Sequence, residues 1–256
     1  MLSFKTKKHL GQHLLIAEGI LEKIVEFANI TQDDIVVEIG VGTGNLTEKL
    51  LQKKPAILYG IEIDETAYKI IEERFKDYQN FILIKSDFFD VNLFEIAKDK
   101  KIKLIGNLPY NVASLILVNI VFYKDIIKNA VFMVQKEVAE KLIAKPKSKD
   151  YTFLSVFIQS FFKVEYLMSV PARFFSPPPK VTSAVIKLTP IENKDIQDIK
   201  AYKRFVSEIF ANRRRMLRTK IDTEILQKAN IKETARVEEL SIEDIKNLFK
   251  IYKQNF

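Results

Sequence analysis

Four consecutive residues, Asn107, Leu108, Pro109 and Tyr110, combine an amide, a rigid backbone and an aromatic ring. They follow the mostly apolar run 102–106, which predicts a short buried strand that stops at the proline. The amide oxygen of Asn107 and a backbone carbonyl near Leu108 or Pro109 can accept both hydrogens of an exocyclic base amine. Such bonds favour a pyramidal nitrogen that attacks a methyl group, while Tyr110 offers a stacking surface for a flipped-out base. The alternative is a turn with a buried tyrosine, so the methylation hypothesis depends on a donor site.

A glycine-rich turn is the first part of that predicted donor site. Gly40, Gly42 and Gly44 follow the apolar run 35–39 and precede a helical pattern. Glycines at such a turn let the backbone approach a bound nucleotide closely. Their spacing is tighter than the G-x-G-x-x-G of dinucleotide enzymes, and it suits S-adenosyl-L-methionine (SAM), whose adenosine carries no pyrophosphate.

Acidic residues at the ends of the predicted strands complete the donor hypothesis. Glu62, about 20 residues after the glycines, is placed to accept both ribose hydroxyls, with Asp64 as an alternative. Asp87 is placed to accept the adenine amine, unless it caps the following turn. Glu38 is a candidate for orienting the methionine amine of the donor, with helix capping or a structural hydrogen bond as alternatives.

Strand and helix patterns alternate along the chain before residue 190. The predicted strands are 35–39, 57–63, 81–85, the run before Asn107, and 130–134. This alternation predicts an α/β fold with a mostly parallel, doubly wound sheet. The apolar stretches 161–170 and 183–188 are expected to close one edge of the sheet as an antiparallel pair. From residue 190 onward only helices are predicted, including one over 201–218, so we expect a donor-binding domain over 1–189 and a helical domain over 190–256.

The composition excludes several kinds of chemistry. The 256 residues include no Cys and two His, which excludes thiol nucleophiles and iron–sulfur clusters and predicts no metal site. The longest apolar run is too short to span a bilayer, and the basic start lacks the apolar core of a signal peptide, so we expect a cytoplasmic protein without a membrane partner. The net charge of +8 is compatible with a polyanionic partner, although charge alone favours a lysine-rich surface in a chain that is also rich in Glu.

Several segments of the sequence match motifs of one known family. They are 8–15 (KHLGQHLL), 38–44 (EIGVGTG), 107–110 (NLPY), 133–140 (MVQKEVAE), 175–181 (FSPPPKV) and 210–215 (FANRRR). Together they resemble the KsgA family of small-subunit ribosomal RNA adenine dimethyltransferases, over nearly the whole chain. The sequence departs from the family at His13, where Asn is commoner, and at Leu14, where Phe is commoner.

The resemblance implies a class I SAM-dependent methyltransferase fold with a small all-helical C-terminal domain that contacts RNA. The implied reaction is SAM-dependent dimethylation of two adjacent adenines near the 3′ end of small-subunit rRNA during ribosome assembly. The implied cofactor-binding residues, with the glycine-rich turn, are His13, Leu15, Gly40, Gly42, Glu62, Asp87 and Asn107. The implied catalytic residues are Asn107, Leu108, Pro109 and Tyr110, with Phe175 facing Tyr110 across the target base. From the residues alone, Phe174 competes with Phe175 for that place.

Basic residues in three segments are candidates for binding RNA. On a helix through Val206, Phe210 and Leu217, Arg213 falls on the apolar stripe and is expected to be paired and structural. Its basic neighbours cluster on one flank and are expected to contact phosphates. The Lys-rich loop 145–149 is a further candidate, although solvated charge is its default interpretation, and the basic start of the chain is a third. The predicted RNA-binding residues are Lys7, Lys8, Lys147, Arg214, Arg215 and Arg218.

The expected partner is small-subunit rRNA within an immature ribosomal subunit, bound by a monomer. One rival is the antibiotic-resistance type of enzyme, which acts on large-subunit rRNA and usually has Ile where Leu108 stands. A DNA adenine methyltransferase is disfavoured because that class typically has a second proline there. A non-catalytic assembly factor of the same fold is a further rival, and the set Glu62, Asp87 and Asn107 argues against it.

Overall fold

The computed structural model describes residues 13–193 and 195–254, which form two compact units. One unit comprises the described residues up to Ala139 together with Val164–Pro190, and the other comprises Glu140–Lys163 and the described residues from Ile191 onward. The predicted division at 189/190 therefore differs from the structure over residues 140–163. These residues join the C-terminal helices because the rings of Phe157 and Phe161 pack against Tyr202, with centroids 6.3 and 5.8 Å away.

The first unit is built on a mostly parallel sheet. The described strands are β1 (Leu14–Leu15), β2 (Ile35–Ile39), β3 (Ile57–Glu62), β4 (Phe81–Lys85), β5 (Ile102–Asn107), β6 (Ile127–Gln135), β7 (Phe162–Val170), β8 (Phe175–Ser176) and β9 (Ser183–Pro190). Seven of these described strands form one sheet, in the order β4-β3-β2-β5-β6-β9-β7. The pairs from β4 through β6 are parallel, β9 is antiparallel to β6, and β7 lies beside β9. The predicted α/β sheet is confirmed.

The described helices are α1 (Glu18–Ala28), α2 (Asn45–Gln52), α3 (Glu65–Phe75), α4 (Leu93–Ala97), α5 (Ala113–Ile120), α6 (Lys136–Leu142), α7 (Phe153–Gln159), α8 (Ile199–Phe210), α9 (Thr223–Lys228) and α10 (Ile242–Gln254). The helix α1 buries a stripe at helical spacing, formed by Leu21, Ile24, Val25 and Ala28. Every residue of β2 is buried, as expected for a central strand of a sheet covered on both faces. No helix in 13–193 or 195–254 combines the length and the apolar character needed to cross a membrane.

The strand order explains where a ligand can bind. Chain order runs outward from β2 in both directions, through β3 to β4 on one side and from β5 to β6 on the other. A crevice forms at the carboxyl ends of the strands where the order reverses. The residues that follow β2, β3, β4 and β5 therefore converge there.

A short strand pair, which the sequence pattern did not predict, brings the start of the described chain to this crevice. β1 and β8 are antiparallel, with Leu15 opposite Phe175. The amide of Ile16 extends the pairing by donating to the carbonyl of Phe174 at 2.9 Å. The segment around residue 13 is thus tied to the proline-rich segment after β7.

In the second unit, α8 ends at Phe210, so the predicted helix over 201–218 is wrong beyond that residue. The ammonium of Lys220 donates to the carbonyls of Glu208 and Ile209, at 3.1 and 2.8 Å. These bonds satisfy carbonyl groups that the last turn of a helix leaves without partners. Residues 211–214 form turns and Met216 forms an antiparallel bridge with Arg236, so the helical projection used for Arg213 does not apply.

Candidate active site

A cleft of about 170 Å³ opens at the carboxyl ends of β2 to β5. Its lining includes both the residues predicted to bind the methyl donor and those predicted to hold the methyl acceptor. They are Gly40, Gly42, Glu62, Asp87, Asn107, Leu108, Pro109 and Tyr110. His13 and Leu14, which precede and begin β1, also line the cleft. One cavity thus holds both groups of residues that the sequence suggested separately.

The glycine loop and Glu62 form one wall. Gly40, Gly42 and Gly44 have φ angles of +75°, +60° and +84°, a region that residues with a Cβ rarely adopt. The Glu62 carboxylate accepts hydrogen bonds from the amides of Gly42 and Asp64, each at 2.8 Å. Burial raises the pKa of Glu62, and these two bonds act in the opposite direction. Each carboxylate oxygen keeps a lone pair that can accept from a ribose hydroxyl.

Helix α3 supports the glycine loop. A Cβ on Gly44 would lie 2.6 Å from the ring of Phe75 and 2.7 Å from Ile71, so the loop packs directly on this helix. Arg74, between those two contacts, donates from Nη1 to the carbonyl of Thr43 at 2.7 Å. The position of the loop therefore depends on α3 as well as on β2.

The structure favours one of the two alternatives for Asp64, whereas both alternatives for Asp87 apply. Asp64 caps the start of α3 by accepting from the amides of Thr66 and Ala67, and it is not among the residues lining the cleft, which favours Glu62 as the ribose ligand. Asp87 accepts from the amide of Phe89 at 3.0 Å and also lines the cleft. It both caps the turn over 88–90 and faces the cavity, so the two interpretations of Asp87 are compatible.

Glu38 lies beside a smaller cavity of about 50 Å³, which shares Leu14, Gly40, Gly42 and Asn107 with the larger cleft. Its Oε2 accepts a hydrogen bond from Thr47 at 2.7 Å, whereas its buried Oε1 has no partner among the described residues. Burial raises the pKa of Glu38 to about 8, a shift that Thr47 reduces and the Glu62 charge increases. An unpartnered acidic oxygen next to a small cavity fits the amine of a SAM molecule whose adenosine occupies the larger cleft.

The backbone of the tetrapeptide identifies which carbonyl can accept a substrate hydrogen. The Pro109 carbonyl already accepts from the amides of Val112 and Ala113, at 3.1 and 2.9 Å, at the start of α5. The Leu108 amide donates to Met133 in β6 at 3.0 Å, and no described residue donates to the Leu108 carbonyl. Of the two carbonyls that the sequence left open, that of Leu108 is therefore available.

Asn107 is oriented by the segment before β1. Its Nδ2 donates to the backbone carbonyl of His13 at 2.8 Å. This bond directs the amide nitrogen toward His13 and leaves Oδ1 without a partner among the described residues. The side chain thus presents an acceptor, as the amine-binding hypothesis requires.

Tyr110 is held by two neighbours that the sequence did not single out for this purpose. Its hydroxyl is 2.5 Å from Oγ of Ser183, and its ring centroid is 5.3 Å from that of His13. Burial raises the pKa of Tyr110. Ser183 lies two residues after the FSPPPKV motif, and that proximity was the available signal for it.

The structure does not bring Phe175 to Tyr110. Phe175 is 3% exposed and belongs to the hydrophobic core, where it lies opposite Leu15 across the β1–β8 pair. It is not among the residues lining the cleft. The ring of Phe174 is half-buried, with the Arg173 guanidinium 4.9 Å from its centroid. The ring that faces Tyr110 in this structure is that of His13.

Of the predicted RNA-binding residues, the four that the structure describes lie in the second unit. Lys7 and Lys8 fall outside the described residues. In the second unit, Arg213 donates to the Tyr151 carbonyl at 2.8 Å and pairs with Glu238 at 3.2 Å, which confirms the prediction that it is paired. The other basic candidates of this unit are exposed, and within the described ranges none of them forms an ion pair; they are Lys147, Arg214, Arg215 and Arg218.

Three features together define a class I SAM-dependent methyltransferase. They are the mostly parallel sheet with a cleft at its switch point, the glycine loop, and the acidic residues Glu62 and Asp87 that line the cleft. A family model described as ribosomal RNA adenine dimethylase matches residues 3–254. The chain belongs to this family, and its cofactor is S-adenosyl-L-methionine.

Similar proteins support this classification over the whole length. The chain is 63% identical over 251 residues to a ribosomal RNA small subunit methyltransferase A from Persephonella marina, covering 97% of this chain and 94% of the relative. A protein of the same description from a Sulfurihydrogenibium species is 59% identical over 256 residues, covering 100% and 99%. A crystal structure of a dimethyladenosine transferase from Plasmodium falciparum superposes with a TM-score of 0.82 at 26% identity, covering 95% and 99%. The fold is also similar to that of the 23S rRNA methyltransferase ErmE, with a TM-score of 0.69 at 24% identity, covering 94% and 100%.

Proposed function

We propose that this enzyme dimethylates the exocyclic amines of two adjacent adenines near the 3′ end of small-subunit rRNA, within an immature ribosomal subunit. The high identity to proteins described as small subunit methyltransferase A supports this choice of RNA. The observation that carries the chemistry is the position of Asn107, whose acceptor oxygen shares one cleft with Glu62 and the glycine loop. An acceptor amine held by Asn107 is therefore close to a donor held at the neighbouring strand ends.

In the first methyl transfer of this proposal, the target amine donates its two hydrogens to Oδ1 of Asn107 and to the carbonyl of Leu108. Both bonds strengthen as the nitrogen becomes pyramidal, so they stabilise the transition state more than the ground state. Pro109 fixes the backbone that follows Leu108. Tyr110, whose hydroxyl is held by Ser183, offers its ring to the base.

When bound, SAM supplies an electrophilic methyl group on a sulfonium centre, and the residues of this chain hold it in line with the amine. We assign the ribose to Glu62, the adenine amine to Asp87 and the methionine amine to Glu38. Backbone groups near the donor complete the site, at His13, Leu15, Gly40, Gly42 and Asn107. The carbonyl of Leu15 accepts from the Asn45 side chain at 3.0 Å, which fixes that part of the backbone.

A role for Phe175 opposite Tyr110 is part of the proposal only for the RNA-bound enzyme. The ring would have to leave the core, and the β1–β8 pair would have to open for that movement. His13 already lies against Tyr110 and is the nearer candidate for a second ring at the base.

Phosphate contacts from basic side chains would hold the RNA while one adenine enters the cleft. The proposed contacts are Lys7, Lys8, Lys147, Arg214, Arg215 and Arg218. Such contacts position RNA without reading its sequence. The substrate implies that the enzyme acts in the cytoplasm, where ribosomal subunits mature, and we propose that it acts as a monomer.

The experiment that tests the function is methyl transfer from labelled SAM to immature small and large ribosomal subunits, followed by mass mapping of modified adenines on both RNAs. We expect dimethylation of two adjacent adenines near the 3′ end of small-subunit rRNA. Modification of large-subunit rRNA alone would support the rival enzyme type. Binding of SAM without methylation of either RNA would support a non-catalytic assembly factor.

A further inference from the structure

Glu38 is an acidic residue enclosed by the protein, next to the last residue of β2. It is 1% exposed, and its neighbours along β2 are apolar. Thr47, on α2, donates a single hydrogen bond to Oε2. Oε1 is buried without a partner among the described residues. A carboxylate in such a place lacks both the solvent and the hydrogen bonds that stabilise its charge.

The charges around Glu38 also oppose ionisation. The ionisable group that faces it is the carboxylate of Glu62 on β3, which has the same sign. The other residues lining the small cavity, including Leu15, Asn45 and Asn107, carry no ionisable side chain. Among the described residues, therefore, no cation compensates a negative charge on Glu38. These surroundings favour the neutral carboxyl group near pH 7 in the donor-free protein, in keeping with the raised pKa of about 8.

We propose that binding of SAM expels one proton from Glu38, because the ammonium of the donor enters the small cavity and pairs with the newly ionised carboxylate. This inference rests on the proposed placement of the donor's methionine amine. The neutral carboxylic acid and the ammonium become a carboxylate–ammonium pair, and the proton leaves to solvent. Donor recognition at this position is then coupled to deprotonation of a buried group.

The coupling has a definite sign. Below the pKa of the Glu38 carboxyl group in the donor-free protein, each unit by which the pH falls raises the free-energy cost of ionising that group. The Kd for SAM should therefore rise about tenfold for each pH unit between pH 7 and pH 6. A Glu38 that is already ionised in the free protein gives a Kd that does not change over this range.

Calorimetric titration of the wild-type enzyme at pH 7, in buffers with different ionisation enthalpies, measures the proton directly. We expect release of about 0.8 proton per SAM bound, since the carboxyl group is mostly neutral and the α-amine mostly cationic at this pH. S-adenosylhomocysteine, which has the same amine, should release a similar amount. The matched control is 5′-methylthioadenosine, which keeps the adenosine but lacks the amine, and it should release none.

A Glu38→Gln variant supplies the second test, because glutamine can still accept from Thr47. We expect this variant to bind SAM without proton release and with a Kd that is independent of pH between 6 and 7. The inference is overturned if wild-type SAM binding releases no proton, if 5′-methylthioadenosine releases as much as SAM, or if release persists in the variant. The ligand comparison stands on the wild-type protein if the variant does not fold. Donor binding without proton release leaves the proposed methylation intact, whereas failure to methylate RNA leaves the proton measurement interpretable.

Discussion

The imidazole ring of His13 lies against the phenol ring of Tyr110, with centroids 5.3 Å apart and planes inclined by 30°. A base held between two rings requires about 7 Å between them, which is twice an optimal carbon–carbon contact. The His13 ring is fixed by a hydrogen bond from Nδ1 to the carbonyl of Pro177 at 2.9 Å. A target base must therefore displace this ring or stack on the opposite face of Tyr110.

Replacing His13 with alanine should leave SAM affinity nearly unchanged. Asn107 bonds to the backbone carbonyl of residue 13, and alanine keeps that carbonyl. We expect the calorimetric Kd for SAM to change by less than about twofold. A tenfold weaker Kd in a variant that folds normally would show that the imidazole itself holds the donor.

Replacing Asn107 with alanine should remove one of the two acceptors for the target amine. We expect kcat for methylation to fall by about 10²–10³, the cost of losing one preorganised hydrogen-bonding group at a reacting centre. Binding of immature subunits should change little, because the proposed phosphate contacts are made by other residues. Single-turnover methylation and filter binding measure the two effects, and unchanged turnover would refute the role of Asn107.

Replacing Arg74 with alanine should weaken SAM binding through the glycine loop. Arg74 bonds to the Thr43 carbonyl and pairs with Glu48, so its loss frees the loop that lies on α3. We expect an increase of about fivefold in the Kd for SAM, the equivalent of one modest hydrogen bond, with kcat at saturating SAM preserved. Lys76→Ala is the matched control, since Lys76 follows the same helix but pairs with the exposed Glu73. Equal effects of the two substitutions would contradict a specific role for Arg74.

Arg213 and Arg214, adjacent residues in the second unit, should respond differently to replacement with alanine. Arg214→Ala should reduce the slope of log Kobs for RNA against log salt by about one unit, because one phosphate contact is lost. Arg213→Ala should lower the thermal midpoint and leave the slope unchanged, because Arg213 is bound to Tyr151 and Glu238. An identical salt slope for wild type and Arg214→Ala would remove Arg214 from the RNA footprint.

The ionised carboxylate of Asp34 should stabilise the folded protein at all but acidic pH. Burial would raise the pKa of Asp34, but hydrogen bonds from Lys103, Lys128 and Thr31 outweigh it and hold the pKa far below its ordinary value. The Lys103 ammonium is 2.7 Å away and almost fully buried. Because the folded-state pKa is depressed, the stabilisation is complete above about pH 4 and is lost as the pH falls through the folded-state value.

The matching substitution is Asp34→Asn, which leaves Lys103 buried without its counter-ion. We expect the free energy of unfolding at pH 7 to fall by about 3–5 kcal/mol, and the acid-induced loss of stability to become shallower. Denaturant unfolding at several pH values measures both. Glu73→Gln, which breaks an exposed pair in the same unit, should have no measurable effect. A similarly small effect of Asp34→Asn would contradict the importance of the buried pair.

The core of the sheet was predictable because its strands are continuous apolar runs. The bounds of β2 and β4 agree with the predicted 35–39 and 81–85. The convergence of Glu62, Asp87 and Asn107 followed from a general property of parallel sheets, that the carboxyl ends of neighbouring strands meet at one edge.

Other features depend on contacts that local sequence does not contain. The two-residue strands of the β1–β8 pair are too short to produce a periodic pattern. The resemblance implied that Phe175 faces the target base, yet its ring lies in the hydrophobic core, in a segment held by the β1–β8 pair. The end of α8 depends on Lys220, ten positions beyond Phe210, whose ammonium reaches back to the helix carbonyls.

The availability of the Leu108 carbonyl has a consequence for mutagenesis. Side-chain replacement leaves a main-chain oxygen in place, so alanine scanning of the tetrapeptide would register the contribution of Asn107 and miss its counterpart. A map of deleterious mutations would then show only one of the two proposed acceptors that align the amine. Only chemistry that alters the peptide unit itself, such as an amide-to-thioamide exchange, can reveal how much of the rate depends on that oxygen.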